Sequence, residues 1–128
     1  MNDGNNANLE AAVAPYLRAA SGRKAQHLVA LDVRELTSIA DVFIICSGSS
    51  SRQVSAIGEY VVQDLKAQKI RLLAIEGKKE GNWVLLDYGH VIIHVFYEPT
   101  RELFDLESLW IDARRLKTDH LVDEADPI

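Results

Sequence analysis

The stretch SIADVFIICSGSSSRQVSAI, from Ser38 to Ile57, contains the signals that decide the fold. Its run Val42 to Cys46 is apolar on both alternating faces, as expected of a central strand that is covered on each side. Ser50 and Gln53 then have the spacing of a capping box. Apolar residues follow at helical intervals, namely Val54, Ile57, Val61 and Leu65. A buried strand that leads directly into an amphipathic helix predicts an α/β domain.

Further strand patterns lie on both sides of this stretch. Apolar residues alternate from His27 to Val33, and Ile70 to Ile75 has the composition of another strand. Trp83 to Asp87 and Val91 to Phe96 bracket the short connection Tyr88-Gly89-His90, which is typical of an antiparallel hairpin. The sequence therefore predicts a mixed sheet of about five strands with helices packed on it.

Two further helical segments are predicted, one near each end of the chain. The first has Asn8 as a candidate cap, and Pro15 predicts that it is kinked or begins late. Its inward stripe comprises Leu9, Val13, Leu17 and Ala20. The second begins at Pro99 as a helix or helix pair whose inward residues are Leu103, Leu106, Leu109 or Trp110, and Ala113. Gly58, within the central helix, predicts a close approach of that helix to the sheet.

Length and composition indicate one domain. The chain has 128 residues and a mass of 14.3 kDa, which is enough for one hydrophobic core. We expect a disordered leader at 1–8, a single domain at 9–116 and a flexible acidic tail at 117–128. One cysteine excludes an internal disulfide framework, and the longest apolar runs are shorter than the roughly 20 residues that span a bilayer. With no targeting signal visible, a soluble cytoplasmic protein is predicted.

The net charge of −5 is unevenly distributed. The acids of the predicted tail are Asp119, Asp123, Glu124 and Asp126, and the part of the chain between leader and tail is nearly neutral. Nucleic-acid binding draws its affinity from a basic face that neutralises phosphates, and the sequence offers no long one. A specific nucleic-acid partner is therefore not expected, whereas a basic protein partner is compatible with the charge.

The segment Ser47 to Arg52 is the most enzyme-like feature. Hydroxyls at a helix start beside Arg52 are able to hold a phosphate, but the same serines also serve as helix caps. The lysine of a phosphate-binding loop and the glycine spacing of a dinucleotide loop are missing. Gly48-Ser49 after a strand also resembles the opening of a nucleotidyltransferase site, yet no strand with two alternating acids follows to hold metal ions.

Neither a metal site nor a nucleophile is predicted. His90 and His94 share a strand face but are about 13 Å apart at 3.3 Å per residue, too far to bind one ion. His94 is interpreted as an anchored, hydrogen-bonded side chain or as part of a contact surface. Cys46, within the apolar run, is interpreted as a small buried hydrophobic residue. No cofactor is expected.

The predicted hairpin offers a surface for protein contact. Trp83 and Tyr88 lie on or near it, together with Asp87, Glu76 and the lysines at 78 and 79. An aromatic residue with a charged rim is typical of a protein interface, although Trp83 is equally able to cover the core. Trp110 is interpreted as core or dimer packing. The residues by themselves thus predict an α/β domain that is a poor enzyme candidate and a candidate protein binder.

Several ordered stretches closely resemble the ribosomal silencing factor family, RsfS, also called Iojap-like. They are ALDV from Ala30, the stretch from Ser38 to Ile57, Glu76-Gly77, WVLLDYGHVIIHVF from Trp83 to Phe96, and the REL, F and DLESLW elements between Arg101 and Trp110. The resemblance covers nearly all of residues 9 to 114, and several motifs in order over one compact length are far more specific than a single glycine loop.

The resemblance implies a homodimeric α/β fold like that of nucleotidyltransferases but without their catalytic residues. It implies binding to the large ribosomal subunit through its ribosomal protein fourteen, obstruction of subunit joining, repression of translation when nutrients are short, and a contribution to large-subunit biogenesis. Carried over by position, the expected partner-binding residues are Trp83, Asp87, Tyr88, Gly89, His94 and Arg101. None of them is expected to be catalytic.

One position departs from the pattern of the family. The usual Asp-x-Gly-Asp is here Asp87-Tyr88-Gly89-His90, so one acidic contact is replaced by a titratable histidine. Two alternatives to the silencing function stay open on the sequence alone: a nucleotidyltransferase-like enzyme, and a general protein-binding adaptor unrelated to ribosomes.

Overall fold

The computed structural model describes residues 3–118 and contains one six-stranded sheet with helices on both faces. The sheet has one more strand than the sequence predicts. In chain order the elements are α1 (Asp3–Ala20), β1 (Gln26–Asp32), β2 (Val42–Gly48), α2 (Ser51–Ala67), β3 (Ala74–Glu76), β4 (Trp83–Asp87), β5 (Val91–Tyr97), α3 (Glu98–Phe104), α4 (Leu106–Leu109) and β6 (Arg114–Arg115). No helix within the described residues is long and apolar enough to cross a membrane.

The strand order is β3-β4-β5-β2-β1-β6. Among the strands of residues 3–118, β2 and β5 are the only pair in parallel, from Val42 opposite Val91 to Gly48 opposite Tyr97, and the other pairs are antiparallel. Every residue of β2 is buried, as predicted for a strand covered on both faces. The mixed α/β class predicted from the sequence is therefore confirmed.

One face of the sheet packs against α1 and α2. Leu9, Val13 and Leu17 of α1 lie in the same buried cluster as Val54, Ile57, Val61 and Leu65 of α2. The strands contribute their alternate residues to this cluster, including Ile44, Cys46, Leu86 and Ile93. This is the main core of the molecule.

The other face has a smaller buried cluster, centred on Phe43, Ile45 and Phe96. Leu106, Trp110 and Ala113 pack against it, as predicted for the last helical segment. Leu103 was also expected to point inward, and that prediction is wrong, because its side chain is largely exposed. Of the two alternatives Leu109 and Trp110, Trp110 is the residue that packs inward. The segment forms two short helices broken at Asp105, which has a φ of 48°, so a single helical periodicity does not apply to it.

The start of α2 follows the predicted capping pattern. The Ser50 hydroxyl accepts a hydrogen bond from the Gln53 amide at 3.1 Å, and the Gln53 side chain accepts one from the Ser49 amide. A Cβ atom added to Gly58 would lie 3.5 Å from Val84 Cγ1, which is an ordinary contact. The helix thus approaches the sheet at Gly58 but leaves room for a methyl group.

The bounds of two elements differ from the predictions, and one strand was not predicted at all. Helix α1 begins at Asp3 and continues through Pro15, so residues 3–8, expected to be a disordered leader, form its first turns. Strand β3 comprises only Ala74–Glu76, because the chain before it folds back against the end of α2. Strand β6, which pairs with β1, was not predicted. Of the predicted acidic tail, residues 119–128 lie outside the described part of the chain.

Candidate partner-binding surface

The hairpin of β4 and β5 places three of the predicted contact residues, Trp83, Asp87 and His94, on the face opposite α1 and α2. In its register Trp83 is opposite Phe96, Leu85 is opposite His94 and Asp87 is opposite Ile92. Cross-strand neighbours share a face, so one row of side chains runs from Leu85 through His94 towards Ile45 on β2. Strand β3 extends this face beyond β4, because Glu76 is opposite Leu85 and Ala74 is opposite Asp87.

The two halves of this face differ in how well they are covered. The half over β1 and β2 lies under Leu106 and Trp110, with the Trp110 ring centroid 5.1 Å from that of Phe43. The half over β3 and β4 carries side chains that are only half-buried or exposed, and we call it the open face: Ala74, Glu76, Trp83, Leu85 and Asp87. It combines three apolar side chains with two carboxylates, which is a composition suited to protein contact.

Trp83 connects the open face to the interior. Its ring is half-buried and lies 4.8 Å from the ring of Phe96 and 5.2 Å from that of Phe104, measured between centroids. Its indole Nε1–H donates a hydrogen bond to Nδ1 of His94 at 3.1 Å. Trp83 therefore covers the core, as one interpretation from the sequence expects, and its half-buried ring also forms part of the open face. Its contact with a partner stays a prediction.

His94 is only 5% exposed and lies among aromatic rings. Burial lowers its pKa to about 4, because the charged imidazolium would lose its hydration. Nδ1 accepts the hydrogen bond from the indole N–H of Trp83, so the ring proton of the neutral histidine is on Nε2. Nε2 has no hydrogen-bond partner among the described residues. The expectation of an anchored, hydrogen-bonded histidine is confirmed.

Arg101 is buried under α4 and has internal partners. Its guanidinium donates to Ser47 Oγ at 2.7 Å and to both carboxylate oxygens of Glu107, at 2.8 and 3.4 Å. Only 7% of its side chain is exposed. The Ser47 hydroxyl in turn holds the pKa of Glu98 below its usual range. In this conformation Arg101 supports the surface from beneath by tying α3, α4 and β2 together.

The turn of the hairpin is built by Asp87 and Gly89. The Asp87 carboxylate accepts a hydrogen bond from the Gly89 amide at 2.8 Å, and Gly89 has a φ of 94°, which favours glycine. Tyr88 points to the opposite side of the sheet, where its ring meets Tyr16 edge-on and burial raises its pKa to about 12. Its hydroxyl has no hydrogen-bond partner within residues 3–118.

The six predicted residues are therefore in three different situations. Trp83 and Asp87 belong to the open face, and Gly89 lies beside it in the turn. His94 and Arg101 lie beneath the surface, and Tyr88 lies on the helix-covered side. The exposed His90 follows Gly89, and its ring lies nearly perpendicular to that of Tyr16, with the centroids 5.8 Å apart. Of the six, Trp83, Asp87 and Gly89 are the ones that are partly exposed at the surface on or beside the open face.

Sequence reasoning missed several members of this surface. Leu85 lies between Trp83 and Asp87 on the same strand, and strict alternation along β4 would have identified it. Phe104, which is 53% exposed and has its ring tilted by 47° against that of Trp83, was missed because a short helix has no reliable periodicity. Ser47, which is buried, and Glu107, which is partly buried, each accept hydrogen bonds from Arg101 and have no signal in the apolar pattern.

The other candidate chemistry has structural explanations. Ser50 caps α2, the Ser49 hydroxyl donates to Gln53, and Ser47 is buried against Arg101. Cys46 is fully buried, and burial raises the pKa of its thiol to about 12, as expected for an inert core residue. Within the described part of the chain no group of three or more His, Cys, Asp or Glu side chains is arranged to hold a metal ion.

Comparison with known proteins identifies the family. The model of the family described as "Ribosomal silencing factor during starvation" matches residues 6–127, which is most of the chain. The chain belongs to the RsfS family. It is 36% identical over 106 residues to the ribosomal silencing factor RsfS of Halalkalibacterium halodurans, covering 83% of this chain and 91% of that protein.

A solved structure and a mitochondrial relative support the assignment of the chain to the RsfS family. A crystal structure of a protein from Chromobacterium violaceum superposes with a TM-score of 0.76 at 33% identity, over 79% of this chain and 84% of that one. The mouse protein named "Mitochondrial assembly of ribosomal large subunit protein 1" is 40% identical over 73 residues, which are 55% of this chain and 32% of that protein. The RsfS fold expected from the resemblance is confirmed.

Proposed function

We propose that this protein is a ribosomal silencing factor that binds the large ribosomal subunit through ribosomal protein fourteen and blocks joining of the small subunit. It thereby represses translation in the cytoplasm under nutrient limitation. Its membership of the RsfS family supports the silencing role. The name of the mouse relative supports an additional contribution to large-subunit biogenesis.

The observation that carries the proposal is the open face. Half-buried Trp83 and Leu85 lie beside the carboxylates of Asp87 and Glu76, which gives an apolar centre with an acidic edge. Ribosomal proteins are basic, because they neutralise RNA phosphates, so the charges are complementary. Interface centres of this kind, with an aromatic anchor, supply most of the binding free energy. The acids increase the rate of encounter more than they increase affinity.

The six candidate residues have different roles in the proposed binding. Trp83, Asp87 and Gly89 contact the partner, and Asp87 also holds the turn through the Gly89 amide. His94 fixes the indole of Trp83, and Arg101 holds the short helices beside it. Tyr88 acts from the opposite side by packing the hairpin against Tyr16 of α1. Silencing then needs occupancy only and no catalytic step.

The free protein is proposed to be a homodimer. The apolar side chains Leu103, Phe104, Leu109 and Ile111 are exposed on the C-terminal helices and the turn after them, which supports self-association there. The test is the molar mass in solution by light scattering. A Leu103→Ser, Leu109→Ser variant is expected to be monomeric. A variant that keeps the mass of the dimer would show that the dimer uses another surface, and a monomeric wild-type protein would contradict the dimer itself.

The proposed function is tested by sedimentation of the protein with separated large and small subunits through sucrose gradients. Wild-type protein should co-sediment with large subunits only and should reduce their association with small subunits. Asp87→Asn keeps an oxygen that accepts the Gly89 hydrogen bond but removes the charge, and should weaken retention about tenfold at low salt. Trp83→Ala should weaken it further.

Glu59→Gln is the matched control, because Glu59 is an exposed acid on α2, on the other side of the sheet. It should bind like the wild type. If Asp87→Asn and Trp83→Ala also co-sediment like the wild type, the open face is not the binding surface. Equal binding to small subunits would instead favour an adaptor, and magnesium-dependent label transfer from ATP to an acceptor would favour a nucleotidyltransferase.

A further inference from the structure

A groove of about 330 Å³ lies on the helix-covered side of the sheet, away from the open face. It runs between the C-terminal half of α2 and the segment that leads towards β3. Its lining consists of Val62, Lys66, Lys69, Ile70, Arg71 and Leu72. None of these residues belongs to the proposed ribosome-binding surface.

The way in which α2 ends creates this groove. After the helix, Lys69 has a φ of 65°, and its amide donates to the Lys66 carbonyl at 2.9 Å. The Ile70 amide then donates back to the Leu65 carbonyl, also at 2.9 Å. These two hydrogen bonds are those of a Schellman motif. They turn the chain sharply away from the helix and hold the groove open between the two.

The groove combines an apolar floor with a cationic rim. Val62, Ile70 and Leu72 are half-buried and pack against the main core. Lys66, Lys69 and Arg71 are exposed around them, and none of the ion pairs within residues 3–118 uses any of these three cations. This is a local positive patch on a chain whose net charge is −5.

The nearest acid on the helix does not neutralise the rim. The Asp64 carboxylate accepts a hydrogen bond from the Gln68 side chain at 3.1 Å. Residues two positions apart point to different sides of a helix, so Asp64 faces away from the stripe that carries Val62 and Lys66. The cations therefore remain available to an external anionic group.

The apolar strip continues beyond the groove towards the edge of the sheet. Leu73 is 60% exposed and Ile75 is 37% exposed. Ile75 is opposite Leu86, so it lies on the same face as the groove. Strand β3 is the outermost strand on this side, and no described strand pairs with its other edge. An extended chain laid here meets apolar side chains, cations and a free strand edge together.

The geometry points to a second docking site, which takes an extended protein segment with alternating acidic and apolar residues. Acidic side chains of this segment pair with Lys66, Lys69 and Arg71, and its apolar side chains cover Val62, Ile70 and Leu72. The lining has no aromatic ring on which a base could stack and its floor is apolar, which favours peptide over RNA. Because the open face is acidic and this groove is basic, the two surfaces select different partners.

The test measures binding of a fluorescein-labelled peptide of about a dozen residues that alternates glutamate with leucine. Binding to the full chain should saturate, and the Lys66→Glu, Arg71→Glu variant should weaken it about tenfold, as expected for the loss of two exposed ion pairs. Lys78→Glu, Lys79→Glu is the matched control, since it makes the same charge change on exposed lysines outside the groove. The control should bind like the wild type.

Three further measurements make the result decisive. A peptide with serine in place of leucine should bind at least tenfold more weakly; equal binding would overturn the role of the apolar floor. The amide resonances of Ile70 and Leu72 should shift on titration of wild-type protein, which tests the site even if a variant fails to fold. Absence of saturable binding, equal loss in the lysine control, or tighter binding of an oligouridylate through the same residues would each refute the site.

Discussion

The indole nitrogen of Trp83 lies 3.1 Å from Nδ1 of His94, and this hydrogen bond joins the open face to a buried, neutral imidazole. Indole is a donor only, so Nδ1 of His94 must stay unprotonated for the bond to exist. The packing of the tryptophan is thereby coupled to the protonation state of the histidine beneath it.

His94 should make the stability of the protein depend on pH. Its folded pKa of about 4 is below the unfolded value of about 6.5, so the unfolded state binds a proton first as the pH falls. The free energy of unfolding should decrease by about 2 kcal/mol between pH 7 and pH 5, as measured by urea denaturation. The effect should be absent above pH 7, where both states are neutral.

His94→Gln is the control for this pH dependence, because it removes the titrating group and keeps an acceptor for the indole. The difference in stability between pH 7 and pH 5 should be much smaller in this variant. If its slope equals that of the wild type, the acid sensitivity between pH 7 and pH 5 comes from groups other than His94. The carboxyls of Asp32 and Glu98, whose pKa values are lowered, lose their contribution only below about pH 5, where they become protonated in the unfolded state.

Removal of the Arg101 guanidinium should destabilise the protein strongly. Arg101→Ala leaves the partly buried Glu107 carboxylate without its partner and Ser47 Oγ without its donor, at a cost of about 3 kcal/mol in the free energy of unfolding. Arg101→Lys should recover only part of the lost stability, because an ammonium keeps the positive charge but cannot reproduce the bidentate contact. Arg52→Ala, at an exposed arginine of α2, should change stability by less than about 0.5 kcal/mol.

Gly58→Ala should stabilise the protein. The added methyl group would meet Val84 Cγ1 at 3.5 Å, an ordinary contact, and alanine is preferred to glycine within a helix. We expect a gain of about 0.5 to 1 kcal/mol and a higher melting temperature in calorimetry. A decrease would mean that α2 lies closer to the sheet than the 3.5 Å contact indicates.

Lys69→Gly should also be stabilising, for a different reason. Lys69 occupies the left-handed position of the Schellman motif, where glycine has no steric cost, so we expect a gain of about 0.5 to 1 kcal/mol. Lys79→Gly is the comparison, since Lys79 is exposed and has no positive φ, and it should be neutral or destabilising. An equal effect of the two substitutions on urea denaturation would contradict this explanation.

The elements with strong periodicity could be predicted from the sequence, and those fixed by tertiary contacts could not. The buried strand β2 and helix α2 have clear patterns, and both lie where the sequence places them. The apolar residues from Ile70 to Leu72 resemble a strand, but the Schellman turn holds them against α2. Strand β6 consists of Arg114 and Arg115 and has no apolar signal.

The location of the candidate surface could be predicted from the sequence, but the burial of its individual residues could not. If Tyr88, Gly89 and His90 formed a three-residue loop, the residues on either side of it, Asp87 and Val91, would be opposite each other. In the structure Asp87 is instead opposite Ile92. A shift of one residue exchanges the two faces of a strand, so the partnership of Trp83 with His94 depended on the actual register. Burial of Arg101 depended on Glu107 and Ser47, which only the fold brings together.

The parallel pairing of β2 with β5 has a consequence for synthesis of the protein. While the ribosome translates the segment between them, the largely apolar β2 has only β1 as a neighbour. Its other edge stays open until Tyr97 has left the exit tunnel. Closing such a large loop is slow, and an unpaired hydrophobic strand favours aggregation in the meantime. The nascent chain is therefore most in need of chaperones during this interval.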